Sequence, residues 1–256
     1  MRNNKISQTR QQQILEKLES EGSVTVNNLS QDFDVSPITI RRDLDFLSQK
    51  GHLDRTHGGA RLKKELRDEA LFSEKGSQHV DEKALIGKAA AEMINPGDTI
   101  FLNSGSTTLE VIKHLKDKHV RIITNNAAAL TVERDPQIEL FILGGEYREA
   151  SQSLVGDMTL LSLSQVYSST TILGVNGISM EGLTSSVQHE TSVNRLMIER
   201  SHGSIIVLAD SSKLGVVSNF LTSPIENVTT LITDKNADPE IIEKFKNINI
   251  DINICE

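Results

Sequence analysis

From residue 80 to the end of the 256-residue chain, short apolar segments alternate with segments of helical periodicity. The apolar segments are continuous, which is typical of strands buried on both faces of a parallel sheet. This alternation predicts an α/β domain in which helices cover a mostly parallel sheet. Strands are predicted at 99–102, 120–124, 138–143, 170–175, 204–209, 230–233 and 248–254, and helices at 81–94, 107–115, 127–133, 190–201 and 239–246.

The first 62 residues follow a different pattern, with three short helical segments and a terminal hairpin. The third helix, at 37–49, has the clearest start signal in the chain. Ser36 is a favourable N-cap, and Pro37 occupies the first helical position, where its missing N–H costs nothing. Two short strands at 52–56 and 60–62 then surround a glycine-containing turn. The order of these elements predicts a small α+β domain.

The change of pattern predicts two domains, at 1–62 and 80–256, joined by a polar linker at 63–79 that is in part helical. The net charge is −8 overall, but it is unevenly distributed. Residues 1–64 carry 11 basic and 8 acidic side chains, and the remaining residues carry 16 basic and 27 acidic ones. A basic N-terminal segment on an otherwise acidic protein favours approach to a polyanion through that segment. The net charge of +3 over residues 1–64 is not by itself evidence of DNA binding.

Several classes of protein are disfavoured by composition. No run of about 18 apolar residues exists, and the polar N-terminus does not resemble a secretory signal. The single cysteine, Cys255, has no partner for a disulfide or a zinc site, and the seven histidines lack metal-ligand spacing. We therefore expect a cytoplasmic protein without membrane association, metal or cofactor.

The third helix has one apolar face and one polar face. Ile40, Leu44 and Leu47 share the apolar face, as expected of a stripe that packs on a core. Arg42 lies opposite and Arg41 on a flank; an arginine there can bond a guanine edge or a phosphate. The alternative is an ordinary solvated face with Arg42 paired to Asp43 or Asp45.

The two helices followed directly by a hairpin predict a winged helix-turn-helix that binds double-stranded DNA. The turn glycines would let the hairpin tip, the wing, approach a phosphate backbone closely. Two recognition helices in register with operator half-sites require a homo-oligomer, either a dimer or a tetramer. The predicted DNA contacts are Ser36, Pro37, Ile38, Thr39, Arg41, Arg42, Arg55, His57 and Gly58.

In the second domain, polar clusters follow several predicted strands. Open α/β sheets bind ligands beyond the carboxyl ends of their strands, so these clusters are informative together. The loop at 103–108 offers hydroxyls, backbone N–H groups and a helix N-terminus to an anion. Each cluster alone has an ordinary explanation as a turn or a helix cap. The clusters lie at 103–108, 124–126, 144–148, 174–177 and 210–213.

Both regions also carry a dense set of residues at defined spacings. They are Arg10, Ile14, Leu18, Ser36, Thr39-Ile40-Arg41-Arg42-Asp43-Leu44, His57-Gly58-Gly59-Ala60, Ser104 to Thr108, Thr124-Asn125, Leu143-Gly144-Gly145 with Arg148, Gly182-Leu183-Thr184, Glu190 and Ser211-Ser212-Lys213. With this set the chain resembles the DeoR/GlpR-type transcriptional repressors over essentially its whole length. The resemblance implies that Arg41 and Arg42 contact DNA in the major groove. It also implies a sensor domain similar in fold to ribose-5-phosphate isomerase.

The resemblance further implies an effector site for a phosphorylated sugar or polyol. The phosphate would be held by Ser104, Gly105, Ser106, Thr107 and Thr108, and the rest of the pocket lined by Asn125, Arg148, Asn176, Glu190 and Lys213. The function expected on this basis is repression of a carbohydrate or polyol catabolic operon, with release from operator DNA when the effector binds. Ligand-assisted DNA binding is the other direction that the sequence leaves open.

Two positions depart from the family pattern, because many members carry aspartate where this chain has Asn103 and Asn176. An amide cannot act as a carboxylate base, which disfavours a second hypothesis, a sugar-phosphate isomerase using Glu190 and Lys213 as acid–base groups. A third hypothesis is a constitutive DNA-binding scaffold that binds no phosphosugar at all.

Overall fold

The computed structural model describes residues 10–18, 23–50, 53–56, 58–62 and 71–256. By its internal contacts the chain divides into two compact units, Met1–Glu65 and Leu66–Glu256. In the described part of the chain, none of the helices has both the length and the apolar character needed to cross a membrane.

The described residues of the first unit form three helices and a three-stranded antiparallel sheet. Its elements are α1 (10–18), β1 (Ser23–Thr25), α2 (Val26–Asp32), α3 (Pro37–Gln49), β2 (Leu53–Thr56) and β3 (Gly59–Leu62). The strand order is β1-β3-β2, so the hairpin of β2 and β3 is extended by β1. Ile40, Leu44 and Leu47 of α3 are buried in the core of this unit, which confirms the predicted apolar face.

Gly59 is the position at which the hairpin depends on glycine. A Cβ atom there would lie 1.9 Å from the carbonyl oxygen of Val24, because β1 is paired with β3 and Thr25 lies opposite Gly59. Any larger residue would push the two strands apart. The glycine therefore sets how closely the wing packs on the remainder of the unit.

The second unit is built around a seven-stranded sheet. Its elements are α4 (Phe72–Ser77), α5 (Val80–Glu92), β4 (Thr99–Leu102), α6 (Ser106–His114), β5 (Val120–Thr124), β6 (Ile138–Ile142), β7 (Glu146–Arg148), β8 (Ser153–Val155), α7 (Asp157–Leu163), β9 (Ser168–Gly174), β10 (Gly177–Ser179), β11 (Gly182–Ser185), α8 (Gln188–Glu199), β12 (Ser201–Leu208), β13 (Phe220–Ser223), β14 (Thr230–Asp234), α9 (Pro239–Lys246) and β15 (Asp251–Cys255). The sheet order is β15-β14-β12-β9-β4-β5-β6, and every neighbouring pair is parallel. The predicted α/β class and parallel sheet are confirmed.

Alternating strand residues pack on two separate cores, one on each face of this sheet. Ile100 and Leu102 of β4 join the core that includes α5 and α6, whereas Phe101 between them joins the core of α7, α8 and α9. This is the expected consequence of side chains pointing to opposite faces in a strand. Helices α5 and α6 pack very closely, because a Cβ at Gly87 would lie 2.4 Å from the Cβ of Glu110.

The helix predicted at 127–133 is wrong in type, since the structure has a 3-10 helix at Ala127–Thr131. Hydrogen bonds from outside the segment hold this turn. The side chain of Asn126 accepts from the backbone N–H of Ala128 at 3.1 Å, and the N–H of Ala127 donates to the carbonyl of Gln152 at 2.9 Å. Since Val132 is already extended, the segment is too short for a complete α-helix.

Helix α4 lies within the segment expected to be a partly helical linker. The N–H of Phe72 donates to the carbonyl of Ala150 at 2.7 Å, and Glu74 accepts from the N–H of Leu71 at 3.1 Å. The first bond attaches the start of α4 to the loop between β7 and β8, and the second caps the N-terminus of α4. Residues 63–70 of the predicted linker lie outside the described residues.

Candidate DNA-contacting face and ligand cavity

Helix α3 presents its polar face to solvent. Arg41 and Arg42 are exposed, and Ile38 is 62% exposed although it is apolar. The Ser36 side chain caps the helix by accepting from the N–H of Thr39 at 3.3 Å, and the two hydroxyls lie 2.9 Å apart. The predicted reading face is therefore accessible, and its N-terminal end is fixed by a cap that begins at Pro37.

The acidic residues of α3 have partners other than Arg42. The Nε atom of Arg10 lies 2.6 Å from a carboxylate oxygen of Asp43, and Gln11 donates to the other oxygen at 2.9 Å. Arg55 binds Asp45 at 2.8 Å. Within the described residues neither Arg41 nor Arg42 makes an ion pair, so the pairing of Arg42 with Asp43 or Asp45 that the alternative invoked is not present.

Arg55 links the wing to α3 through its side chain. In addition to the bond to Asp45, the guanidinium of Arg55 donates to the carbonyl of Gly59. Arg55 was predicted to contact DNA, and the structure places it between the helix and the hairpin. Gly58 is exposed at the tip, and His57 lies outside the described residues.

A cavity that opens to solvent lies at the carboxyl ends of β4, β9 and β12. This is the edge of the sheet at which the polar clusters were predicted to meet. Helices α4 and α8 form two of its walls. The polar and charged residues among those lining it are Lys75, Gln78, His79, Lys83, Asn103, Ser104, Ser106, Thr107, Ser151, Asn176, Thr184, Ser185, Glu190, Asn194, Asp210, Lys213 and Thr222.

The loop between β4 and α6 lines the cavity at the N-terminus of α6. The first N–H groups of a helix lack partners within the helix, so Ser106 and Thr107 present donors to an anion. Thr108 does not line the cavity, since it is 1% exposed and its hydroxyl lies 2.8 Å from the carbonyl of Asn103 and 2.9 Å from that of Gly105. Thr108 therefore stabilises the loop conformation from the side that faces away from the cavity.

Asn103 holds the ends of two neighbouring strands together. Its side-chain nitrogen donates to the carbonyl of Gly174 at 2.8 Å, and its side-chain oxygen accepts from the N–H of Gly174 at 2.9 Å. An ionised aspartate could make only the second of these bonds and would place an oxygen against the carbonyl. The amide at this position thus has a structural explanation in this chain.

Lys83 is the buried cation of the cavity. It is 6% exposed, and its ammonium donates to the carbonyls of Gln78, at 2.7 Å, and of Lys75. Burial lowers the pKa of Lys83 below its ordinary value of 10.5; the carboxylate of Asp210 opposes this shift and the charge of Lys213 adds to it. A bound anion would relieve the cost of burying this charge.

Asp210 and Lys213 complete the charged part of the cavity. The Nζ atom of Lys213 lies 4.0 Å from a carboxylate oxygen of Asp210. The other oxygen of Asp210 accepts from the N–H of Ser212 at 3.1 Å, and this bond fixes the 3-10 turn that carries Lys213. Two lysines therefore flank one carboxylate beside the loop that begins α6.

The opposite wall carries Glu190 of α8. Glu190 is 6% exposed, and one of its carboxylate oxygens lies 3.7 Å from the guanidinium of Arg148. Arg148 also donates to the hydroxyl of Ser151 at 3.1 Å. Arg148 is not among the residues that line the cavity, so its place is behind Glu190 and Ser151.

The structure brings most of the predicted effector residues together. Asn176 lines the cavity, and its side-chain oxygen accepts from Ser185 and from the N–H of Ser186. Asn125 does not line it; this residue is fully buried and donates to the carbonyl of Leu154 at 3.1 Å. The predicted residues that line the cavity are Ser104, Gly105, Ser106, Thr107, Asn176, Glu190 and Lys213.

Sequence reasoning did not assign Lys75, Gln78, His79, Lys83 or Asn194 to this site, although all five line the cavity. The first three come from α4 and the residues after it, which were expected to be linker. Among the described residues, no group of three histidine, cysteine, aspartate or glutamate side chains is arranged to hold a metal ion.

Two family models match the chain. A DeoR-like helix-turn-helix domain matches residues 10–65, and a DeoR C-terminal sensor domain matches residues 78–235. Similar folds over about half the chain occur in solved structures, including ribose-5-phosphate isomerase A from Methanocaldococcus jannaschii. That match has 18% identity and a TM-score of 0.38, and it covers 54% of this chain and 55% of the other.

Curated relatives match over nearly the full length. A lactose phosphotransferase system repressor from Lactococcus lactis is 32% identical, covering 92% of this chain and 94% of the relative. The regulator GolR from Listeria innocua is 30% identical, with coverages of 96% and 98%. A putative aga operon repressor from Escherichia coli O157:H7 is 33% identical, with coverages of 95% and 92%. All three are named as transcriptional regulators or repressors and not as enzymes. The chain is therefore a transcriptional regulator of the DeoR family, with a DeoR-like helix-turn-helix domain followed by a DeoR sensor domain.

Proposed function

We propose that the chain represses a carbohydrate or polyol catabolic operon and is released from its operator by a phosphorylated sugar or polyol. The observation that carries the proposal is the cavity at the strand ends, which is lined by the N-terminus of α6, by the buried Lys83 and by the partly exposed Lys213. The combination suits a dianionic phosphate, because both the helix N-terminus and the lysines favour negative charge. The names of the curated relatives, which refer to lactose and aga systems, agree with a sugar-derived ligand.

Helix α4 offers a route from the cavity to the DNA-binding unit. Lys75 and His79 line the cavity, and the chain leads from the start of α4 back to the first unit through residues 63–70. A ligand that fills the cavity contacts or displaces this wall. Differential binding to two positions of α4 would couple ligand to DNA, and each ligand would then weaken the other equally. A coupling of about 1–3 kcal/mol changes affinity roughly 5- to 150-fold.

The proposal includes assembly into a homo-oligomer. One recognition helix reads only a few base pairs, so a dimer or tetramer would place several copies of α3 on operator half-sites. Such a regulator acts in the cytoplasm, where it associates with the nucleoid while it is bound to DNA. Ligand binding would then shift the oligomer away from the half-site spacing.

A thermal-shift screen of the full chain tests the ligand class. The panel contains sugar phosphates, phosphorylated polyols and their unphosphorylated parents. A binder at 100 times its Kd stabilises the sensor domain by about 2.7 kcal/mol, which raises Tm by roughly 5–10 °C for a domain of this size. We expect stabilisation by phosphorylated compounds only. Equal shifts with the unphosphorylated parents would contradict the phosphate site, and no shift with any compound would favour the constitutive scaffold.

Arg42→Ala tests the DNA-contacting face. The variant is expected to bind a duplex selected by the wild-type protein from a random library about 5- to 150-fold more weakly, the equivalent of about 1–3 kcal/mol for a base contact. Electrophoretic mobility shifts at several salt concentrations measure it. An unchanged salt dependence indicates a base contact, whereas a slope reduced by about 1 indicates a phosphate contact. Lys50→Ala is the control, because Lys50 is a charge at the far end of the same helix. Wild-type affinity in Arg42→Ala would refute the assigned face.

A further inference from the structure

Asn194 is a buried side chain that lines the cavity, and its amide has no hydrogen-bond partner in the described part of the chain. It is 7% exposed, and its side-chain oxygen is fully enclosed without a hydrogen bond. Within the described residues its side-chain nitrogen makes no hydrogen bond either. Buried polar atoms are normally paired, so an unpaired amide that lines a cavity indicates a bonding partner that arrives with a ligand.

The position of Asn194 on α8 relates it to Glu190. The two residues are four positions apart in the helix, so they share a face, and both line the cavity. This wall therefore offers a carboxylate and an amide, which are groups that bind hydroxyls. The cations Lys83 and Lys213 and the N-terminus of α6 line the cavity as well, and they are groups that bind phosphate.

We infer that the cavity has two chemically distinct parts, and that Asn194 determines specificity by bonding a hydroxyl of the ligand. The phosphate lies at residues 104–107, and the hydroxylated carbon chain lies against α8. The side-chain nitrogen of Asn194 is not among the fully enclosed atoms and can donate to a ligand hydroxyl, and rotation of the amide would present the oxygen as an acceptor instead. This inference rests on the proposed function, since it orients the phosphorylated sugar or polyol within the same cavity.

Asn194→Leu is the variant that tests the inference. Leucine has nearly the same shape but cannot form hydrogen bonds. Because the variant removes an unpaired buried amide, the Tm of the ligand-free protein is expected to stay the same or to rise. The probes are inorganic phosphate, glucose 6-phosphate, fructose 6-phosphate, ribose 5-phosphate and sorbitol 6-phosphate, measured by calorimetry on the full chain.

We expect the variant to bind the tightest of the three phosphosugars and one phosphorylated polyol at least 10-fold more weakly and to bind inorganic phosphate as the wild type does. Ser192→Ala, an exposed position on the same helix, should change neither affinity. Monodeoxy analogues of that phosphosugar identify the hydroxyl. One of them should bind more weakly than its parent to the wild type and as tightly as its parent to Asn194→Leu.

Three other outcomes overturn the inference. Equal affinity of wild type and variant for the phosphosugar would show that Asn194 bonds no hydroxyl, while leaving the proposed function intact. A fall in ligand-free Tm together with a parallel loss of phosphate and phosphosugar binding would show that Asn194 is structural. Failure of all three phosphosugars and of sorbitol 6-phosphate to bind the wild type would remove the proposed function for these ligands and this inference with it.

Discussion

Asp43→Ala is expected to unfold the helix-turn-helix domain while leaving the sensor domain folded. The carboxylate of Asp43 is almost fully buried and binds both Arg10 and Gln11. Removing one partner of a buried ion pair typically costs about 3–5 kcal/mol, because the other charge is left without compensation. A domain of this size has only a few kcal/mol of stability in total, so the loss is comparable with the whole.

Differential scanning calorimetry of the full chain measures this effect as loss of the transition of the first unit, and mobility shifts measure the loss of DNA binding. Ligand-induced stabilisation of the sensor domain should persist. The control is the double variant Arg10→Met with Asp43→Leu, since replacing both charges by apolar residues is far less costly than removing one. If the first unit of Asp43→Ala melts at the wild-type temperature and the variant binds DNA with wild-type affinity, the ion pair contributes little to stability.

Lys83→Met is expected to abolish the response to the effector. Truncating one partner of a buried, hydrogen-bonded charge pair costs about 2–5 kcal/mol, so affinity for a phosphosugar found in the screen should fall at least about 30-fold. The domain should remain folded, because methionine fills a similar volume and removes a charge that is costly to bury. The variant should therefore stay on its operator at a ligand concentration that releases the wild type.

Calorimetric titration and operator-release assays measure the two effects separately. Lys88→Met is the matched control, because Lys88 is an exposed lysine on the same helix α5. Release of Lys83→Met at the wild-type ligand concentration would remove Lys83 from the effector site. Loss of operator binding without ligand would instead show that Lys83 stabilises the DNA-binding state through α4.

The large features of the fold were predictable because periodicity reports burial directly. The parallel strands are continuous apolar runs and the face of α3 repeats at helical spacing, so both were visible in the residues. The small sheets of β7 and β8 and of β10, β11 and β13 were not, since strands of three or four residues are too short to show a period. The segment at 127–131 looked helical because its alanines carry no information against it.

The sequence located the candidate site only where it is formed by loops that directly follow the strands. The loop after β4 and the turn before Lys213 follow apolar strands directly, so their place at the sheet edge could be read. Lys83 and Asn194 depend on contacts made by α4 and α8 in the folded chain. A signal was present, because Lys83 shares a helix face with Ile86, Gly87 and Ala90, and a lysine on an apolar face needs an explanation.

The two cores on opposite faces of the sheet affect how the ligand preference of such a regulator can change in evolution. The charged side chains that line the cavity belong to neither core. Substitution at those positions can therefore alter recognition without repacking the hydrophobic interior, whereas a change within a strand would disturb one core or the other. Leu173, Leu183, Leu208 and Ala209 line the cavity and also belong to a core, so they are the positions at which ligand preference and stability are selected together. At the charged positions the two can change separately, which allows one scaffold to acquire different inducers over evolutionary time.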